Sequence, residues 1–154
     1  MANDPITCHI LDTANGRPAA NVTCAIFCLS GAGAGAGANG NDTETSIKPF
    51  ALAKSNKDGR VGQWTIDPKL TNATGEKIGI SNGTWTVLIP GIYKIRFQTA
   101  KYFKTLPSAD TQNSQNRTFF PFIDVIFEVN EPPDHHYHVP LLLSNHSYTT
   151  YRGS

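Results

Sequence analysis

The chain has 154 residues, a formal net charge of +1 and 39% hydrophobic residues, enough for one core and too few for two of useful size. A charge so near neutral gives no electrostatic ground for nucleic acid or an anionic membrane surface as partner. No apolar run is long enough to cross a bilayer as a helix.

Taken in chain order, the first predicted strand is Ile6 to Leu11. Period-two alternation turns Cys8 and Ile10 inward and leaves Thr7, His9 and Leu11 on the opposite face. Val22 to Leu29 (VTCAIFCL) is apolar on both faces and rich in β-formers, the signature of a central strand. Gly31 to Asp42 (GAGAGAGANGND) is low in complexity and reads as a loop insertion. Phe50 to Ala53 and Gly62 to Ile66 are two further strand candidates. The stretch 67–90 is long for a hairpin connection and reads as a second insertion. Within it, Asn82-Gly83 is a strong two-residue turn signal for a small ribbon.

Tyr93 to Gln98 alternates without error. Ala100 to Leu106 (AKYFKTL) has helix formers and is ended by Pro107. Phe122 to Val129 places Ile123, Val125, Phe127 and Val129 on one side, opposite Asp124 and Glu128. Tyr137 to Leu143 and Tyr148 to Arg152 complete the set. About eight short strands and one short helix define an all-β fold, an eight-stranded two-sheet sandwich in a single domain over 1–154.

The same alternation sorts the chemistry. If Tyr137, Val139, Leu141 and Leu143 face the core, then His136, His138, Pro140 and Leu142 face outward. Strands from opposite ends of the chain thus each present a histidine beside a leucine. Such an apolar outer face calls for a covering subunit, and a symmetric oligomer with a cleft between sheets follows. His136 and His138, at i and i+2, are only half a zinc site, and no third ligand is fixed nearby by spacing. A serine nucleophile lacks its G-x-S-x-G elbow. Asp124 and Glu128 read as structural, and the cations Lys94, Arg96, Lys101 and Lys104 read as a solvated strand edge.

Three cysteines, an odd number, argue against a disulfide framework. Cys24 and Cys28 would lie about 13 Å apart on an extended strand, too far to bridge. With no basic, apolar leader in MANDPITCHILD, an intracellular protein with reduced cysteines is expected.

The terminal segments HYHVPLLLS and SYTTYRGS resemble the signature of the 5-hydroxyisourate hydrolases, an enzyme branch of the transthyretin-like fold. CHILDTANGRPAANV (8–22), Lys57-Asp-Gly-Arg60, GIYKIRFQTAKYF (91–103) and FFPFIDVIFEV (119–129) resemble other segments of that family. One departure is Asn145, where the family usually has a proline. The resemblance implies hydrolysis of 5-hydroxyisourate, a small-molecule substrate, by a homotetramer with sites at the dimer–dimer interface. It implies no cofactor and no metal. Carried over by position, His9, Arg60, His138 and Ser154 would be catalytic, and His9, Arg60, Tyr151 and Arg152 would bind substrate. A cytoplasmic or peroxisomal location is expected. The alternative is a non-catalytic carrier of a small aromatic ligand in the same cleft.

Overall fold

The computed structural model describes residues 2–31, 47–107 and 117–154. Residues 32–42 of the expected Gly-Ala loop lie outside them. Among the described residues the chain forms two five-stranded sheets, a two-stranded ribbon and two short helices.

The first sheet is built around β1 (Ile6–Asp12). It pairs in parallel with β11 (Tyr137–Leu143), Ile6 opposite Tyr137 and Asp12 opposite Leu143. The other edge of β1 is shared by β2 (Arg17–Pro18) near one end and β5 (Arg60–Val61) nearer the other. β12 (Tyr148–Thr150) closes the far side against β11. The second sheet runs β10-β9-β3-β4-β6, with β3 (Thr23–Gly31), β4 (Ala51–Lys54), β6 (Thr65–Ile66), β9 (Gly91–Phe97) and β10 (Ile123–Val129).

The inward faces are those that alternation selects. Ile6, Cys8 and Ile10 of β1 and Leu141 and Leu143 of β11 are at most 1% exposed. Against them lie Cys24, Ile26, Tyr93, Ile95 and Phe97 of the second sheet. Each such side chain withdrawn from water contributes on the order of 1.5–3 kcal/mol. Cys8, Cys24 and Cys28 are free and buried.

Several expectations are corrected. The strand expected over 62–66 forms only at Thr65–Ile66 (β6), and β5 (Arg60–Val61), just before it, belongs to the other sheet. The chain crosses between sheets at this corner, held by Trp64, whose N–H reaches Asp4 Oδ2 at 2.7 Å and whose indole donates to the Ile6 carbonyl at 2.8 Å. Lys94 and Arg96 are not on a sheet edge, because β9 lies between β10 and β3. They stand on its outer face, where Arg96 grips Asp124 through two bonds of 2.8 and 2.9 Å and stacks over Phe122. Lys94 joins the same carboxylate at 3.7 Å.

Stretch 67–90 packs onto the core through Ile78, Ile80, Trp85 and Leu88. It holds α1 (Asn72–Ile78), absent from the sequence-based expectation, and the ribbon β7 (Ile80–Ser81) and β8 (Thr84–Trp85). Asn82 and Gly83 take φ of 53° and 73°, the left-handed pair that a tight hairpin needs. Trp85 packs edge-on against Phe50 with ring centroids 5.4 Å apart. The second helix, α2 (Thr99–Thr105), is tied to β1 by the Tyr102 hydroxyl, which donates to Asp12 Oδ2 at 2.7 Å. No helix among the described residues is long and apolar enough to cross a membrane.

Candidate active site

Three strands meet where β1 runs between β11 and β5. The registers place Thr7 opposite His138, and His9 opposite Pro140 on one side and Arg60 on the other. Because all outward residues of neighbouring strands share a face, His9, Arg60 and His138 converge. The His9 and His138 ring centroids are 6.3 Å apart, their planes tilted by 36°.

Arg60 reaches this position through a turn. The Asn56 side-chain oxygen accepts from the N–H groups of Asp58 and Arg60, both at 2.9 Å, and the Gly59 N–H returns to the Asn56 carbonyl at 2.9 Å. Gly59 has φ +75°, and a Cβ there would fall 2.4 Å from the Ile10 carbonyl. Only glycine lets the turn lie this close to β1. The turn also orients His9, whose Nε2 donates to the Asp58 carbonyl at 3.1 Å. In its neutral form His9 therefore keeps its lone pair on Nδ1.

The tail forms the remaining wall. Gly153 donates to the His138 carbonyl at 2.8 Å, which lays 151–154 along β11. Pro140, expected on an outer face, is buried because this tail covers it. Leu11 and Leu142 are half-buried. The uncovered apolar face expected there is correspondingly reduced.

The result is a cleft of about 530 Å³ lined by His9, Arg60, His138, Tyr151 and Ser154, together with Thr7, Asn56 and His136. Five of the six residues singled out by sequence are brought together. Arg152 is not: it pairs with Asp134 at 2.7 Å and lies over the Tyr137 ring at 4.4 Å. It borders a smaller, neighbouring cleft of about 270 Å³ that also touches His138 and Tyr151. The larger cleft holds the titratable pair and the guanidinium. Stretch 67–90 lends it no residue.

Both histidines are tuned in the same direction. Burial, and then the Arg60 cation, lower the pKa of His9 from its ordinary 6.5, with the Asp58 carbonyl opposing. Burial, then Arg60, then His9 and His136, lower that of His138. Two neutral imidazoles beside a permanent cation can accept a proton and stabilise a developing anion. Among the described residues no group of three or more His, Cys, Asp or Glu side chains is placed to hold a metal.

Sequence reasoning missed Thr7 and Asn56 as parts of this site and took His136 only as half of a possible metal pair. Thr7 shares a face with His9 by period two. Asn56 opens an N-K-D-G turn, and asparagine commonly caps such turns with its own side chain.

A two-sheet sandwich of this topology, with a histidine-lined cleft on one sheet, is a transthyretin-like fold. The solved structure of Klebsiella pneumoniae 5-hydroxyisourate hydrolase matches it with a TM-score of 0.62 over 100% of both chains, at 19% identity. Residues 6–153 match the HIUase/Transthyretin family, and the chain belongs to that family. It is 33% identical over 161 residues to a probable 5-hydroxyisourate hydrolase of Schizosaccharomyces pombe, covering 100% of both chains. It is 34% identical to the 5-hydroxyisourate hydrolase of Deinococcus radiodurans, again over 100% of both. The mouse 5-hydroxyisourate hydrolase is 30% identical, with 99% of this chain and 97% of that one covered.

Proposed function

We propose that this protein hydrolyses 5-hydroxyisourate to 2-oxo-4-hydroxy-4-carboxy-5-ureidoimidazoline in the breakdown of urate. The observation that carries the reading is the pair of neutral histidines held beside Arg60 in one cleft. The hydrolase names of full-length relatives support the substrate.

Opening the six-membered ring requires water to add to a ring carbonyl and a ring nitrogen to leave. His9 and His138 act as a coupled pair: one takes the proton of the attacking water, and a proton is returned to the departing nitrogen. Arg60, always charged, steadies the oxyanion as the carbonyl becomes tetrahedral. Tyr151, exposed at the cleft mouth, offers a flat surface for the heterocycle. Ser154 orients a substrate group from the tail. Arg152 serves this site by fixing the tail through Asp134 and Tyr137.

We further infer a single domain over 1–154, with 31–42 and 67–90 as insertions, assembled as a homotetramer whose clefts open at subunit interfaces. Among the described residues the edge strands β10 and β12 each leave one side unpaired, with Ile126 61% and Tyr148 38% exposed, the kind of edge another copy covers. Free, buried cysteines suit a reducing compartment, the cytoplasm or the peroxisome.

The decisive experiment generates 5-hydroxyisourate in place with urate oxidase and follows its ultraviolet decay. The protein is expected to accelerate the decay, and His9→Asn with His138→Asn to abolish the acceleration. An unaccelerated decay, with tight binding of aromatic ligands in the cleft, would replace the hydrolase with a carrier.

A further inference from the structure

Thr7 is 4% exposed, yet its hydroxyl is shared by two imidazoles. His138 Nδ1 lies 2.7 Å from Thr7 Oγ1 and His136 Nε2 lies 2.9 Å from the same atom. The two rings stand nearly parallel, 19° apart in plane, with centroids 6.5 Å apart. Strand packing alone has no use for this arrangement, since a valine would fill the same outward position on β1.

A threonine hydroxyl has one proton to donate and lone pairs to accept with. Both contacts are satisfied when His138 donates from Nδ1 to Oγ1 and the hydroxyl donates to His136 Nε2. That direction leaves His138 Nε2 as the nitrogen with a lone pair for the cleft. We propose that Thr7 and His136 are positioning residues of this site, holding His138 as the Nδ1–H tautomer and relaying its proton to His136.

The step balances. A proton from the attacking water bonds to His138 Nε2. The His138 Nδ1–H bond then breaks as a Thr7 O–H bond forms, and the original Thr7 O–H bond breaks as a His136 Nε2–H bond forms. Thr7 ends unchanged, His136 becomes the cation, and His138 emerges neutral with its proton on Nε2. That is the tautomer that can donate to the leaving nitrogen, its Nδ1 regaining a proton from His136 through Thr7 as the Nε2–H bond breaks. The transfer has an electrostatic reason. The groups facing His138 are His9 from β1, Arg60 from β5, and Tyr151 and Ser154 from the tail. Arg60, His9 and, across Thr7, His136 each oppose a positive His138. Transfer to His136, two residues further from the level where His9 pairs with Pro140 and Arg60, takes the charge away from His9 and Arg60 and relieves their repulsion.

This inference rests on the hydrolase reading, so the test includes a measurement that does not. Steady-state decay of 5-hydroxyisourate is compared for the wild type, Thr7→Val, Thr7→Ser and His136→Phe from acid to alkaline pH. Thr7→Val and His136→Phe are expected to lower kcat roughly ten- to a hundred-fold with KM little changed. Both should alter the pH profile, while Thr7→Ser stays near wild type. Wild-type kcat and pH profile in either Thr7→Val or His136→Phe overturns the relay. Nitrogen-15 NMR of the resting wild-type protein reads the tautomers without substrate and without any variant having to fold. Neutral His138 protonated on Nδ1 supports the proposal, and protonation on Nε2 overturns it. If the wild type fails to accelerate the decay, the hydrolase reading falls, and the NMR result still decides the hydrogen-bond arrangement.

Discussion

Gly153 is fixed against His138 by a backbone bond, its N–H donating to the His138 carbonyl at 2.8 Å. A Cβ at 153 would fall 2.7 Å from His138 Cδ2 and 3.1 Å from Pro140 Cγ. The tail thus closes on the one ring whose orientation the cleft depends on, and it does so at a distance only a glycine permits.

Gly153→Ala is therefore expected to damage activity more than stability. The ring cannot step aside freely, because its Nδ1 is held by Thr7 at 2.7 Å. The methyl group must displace either the ring or the tail. A loss of about tenfold in kcat, equivalent to ~1.4 kcal/mol in the barrier, should accompany a nearly unchanged melting temperature. Steady-state kinetics and thermal unfolding of the same preparation check this. Wild-type kcat in the variant would show that the ring tolerates displacement.

The pH dependence follows from the direction of the histidine shifts. His9 and His138 both have pKa values below 6.5, so both remain neutral at neutral pH and the acid limb of kcat/KM should fall below 6.5. Burial is the largest cause for each and Arg60 the second. Arg60→Gln should move both values upward. Proton NMR titration of the two rings reads this directly, independent of the activity the substitution removes. Stability has the same sign. The unfolded state binds protons first as pH drops, so the contribution of these groups is intact above 6.5 and is lost as pH falls from there through the lower folded values.

The long alternating segments were legible from sequence because burial on one face imposes period two. β1, β9, β10 and β11 fall where Ile6, Tyr93, Ile123 and Tyr137 begin their patterns. The two-residue strands β2 and β5 were not legible, since two residues carry no period, whereas the ribbon β7–β8 was legible from its Asn82-Gly83 turn. α1 was hidden because NATGEKI has a glycine in its interior and only two buried residues, Gly75 and Ile78. In the site, alternation turned His9 and His138 outward, but it could not supply Arg60, which arrives by a turn. Nor could it show that the tail folds back over Pro140 and sends Arg152 to Asp134, because those contacts depend on tertiary placement alone.

Asn56 is expected to matter through that turn. Its side-chain oxygen holds both the Asp58 and the Arg60 N–H, and the Asp58 carbonyl in turn holds His9. Asn56→Ala removes an acceptor from two exposed donors that water can partly replace, so the stability cost should be about 1 kcal/mol. Catalysis should suffer more than that figure suggests, since Arg60 and His9 both lose their orientation. A fall in kcat/KM of roughly tenfold or more, measured beside a urea midpoint only slightly lowered, is the expected pattern.

Tyr102→Phe supplies the opposite case, a loss of stability with the site intact. Asp12 is fully buried at the end of β1 and accepts from the Asn15 N–H at 2.9 Å, from Asn15 Nδ2 at 2.7 Å and from the Tyr102 hydroxyl at 2.7 Å. A buried carboxylate is tolerated only while such donors reach it. Burial, followed by this contact with Asp12, raises the pKa of Tyr102, so the phenol stays protonated and donates throughout the accessible pH range. Deleting it leaves one Asp12 oxygen with a single remaining donor, Asn15 Nδ2. Hydrogen bonds to charged groups contribute about 1.5–3 kcal/mol, and a loss of that size should appear in urea unfolding without a change in slope. Because His9 lies three residues back along β1 and points to the opposite face from the core, kcat under folding conditions should remain near wild type. A variant with unchanged unfolding midpoint would mean that Asn15 alone satisfies Asp12.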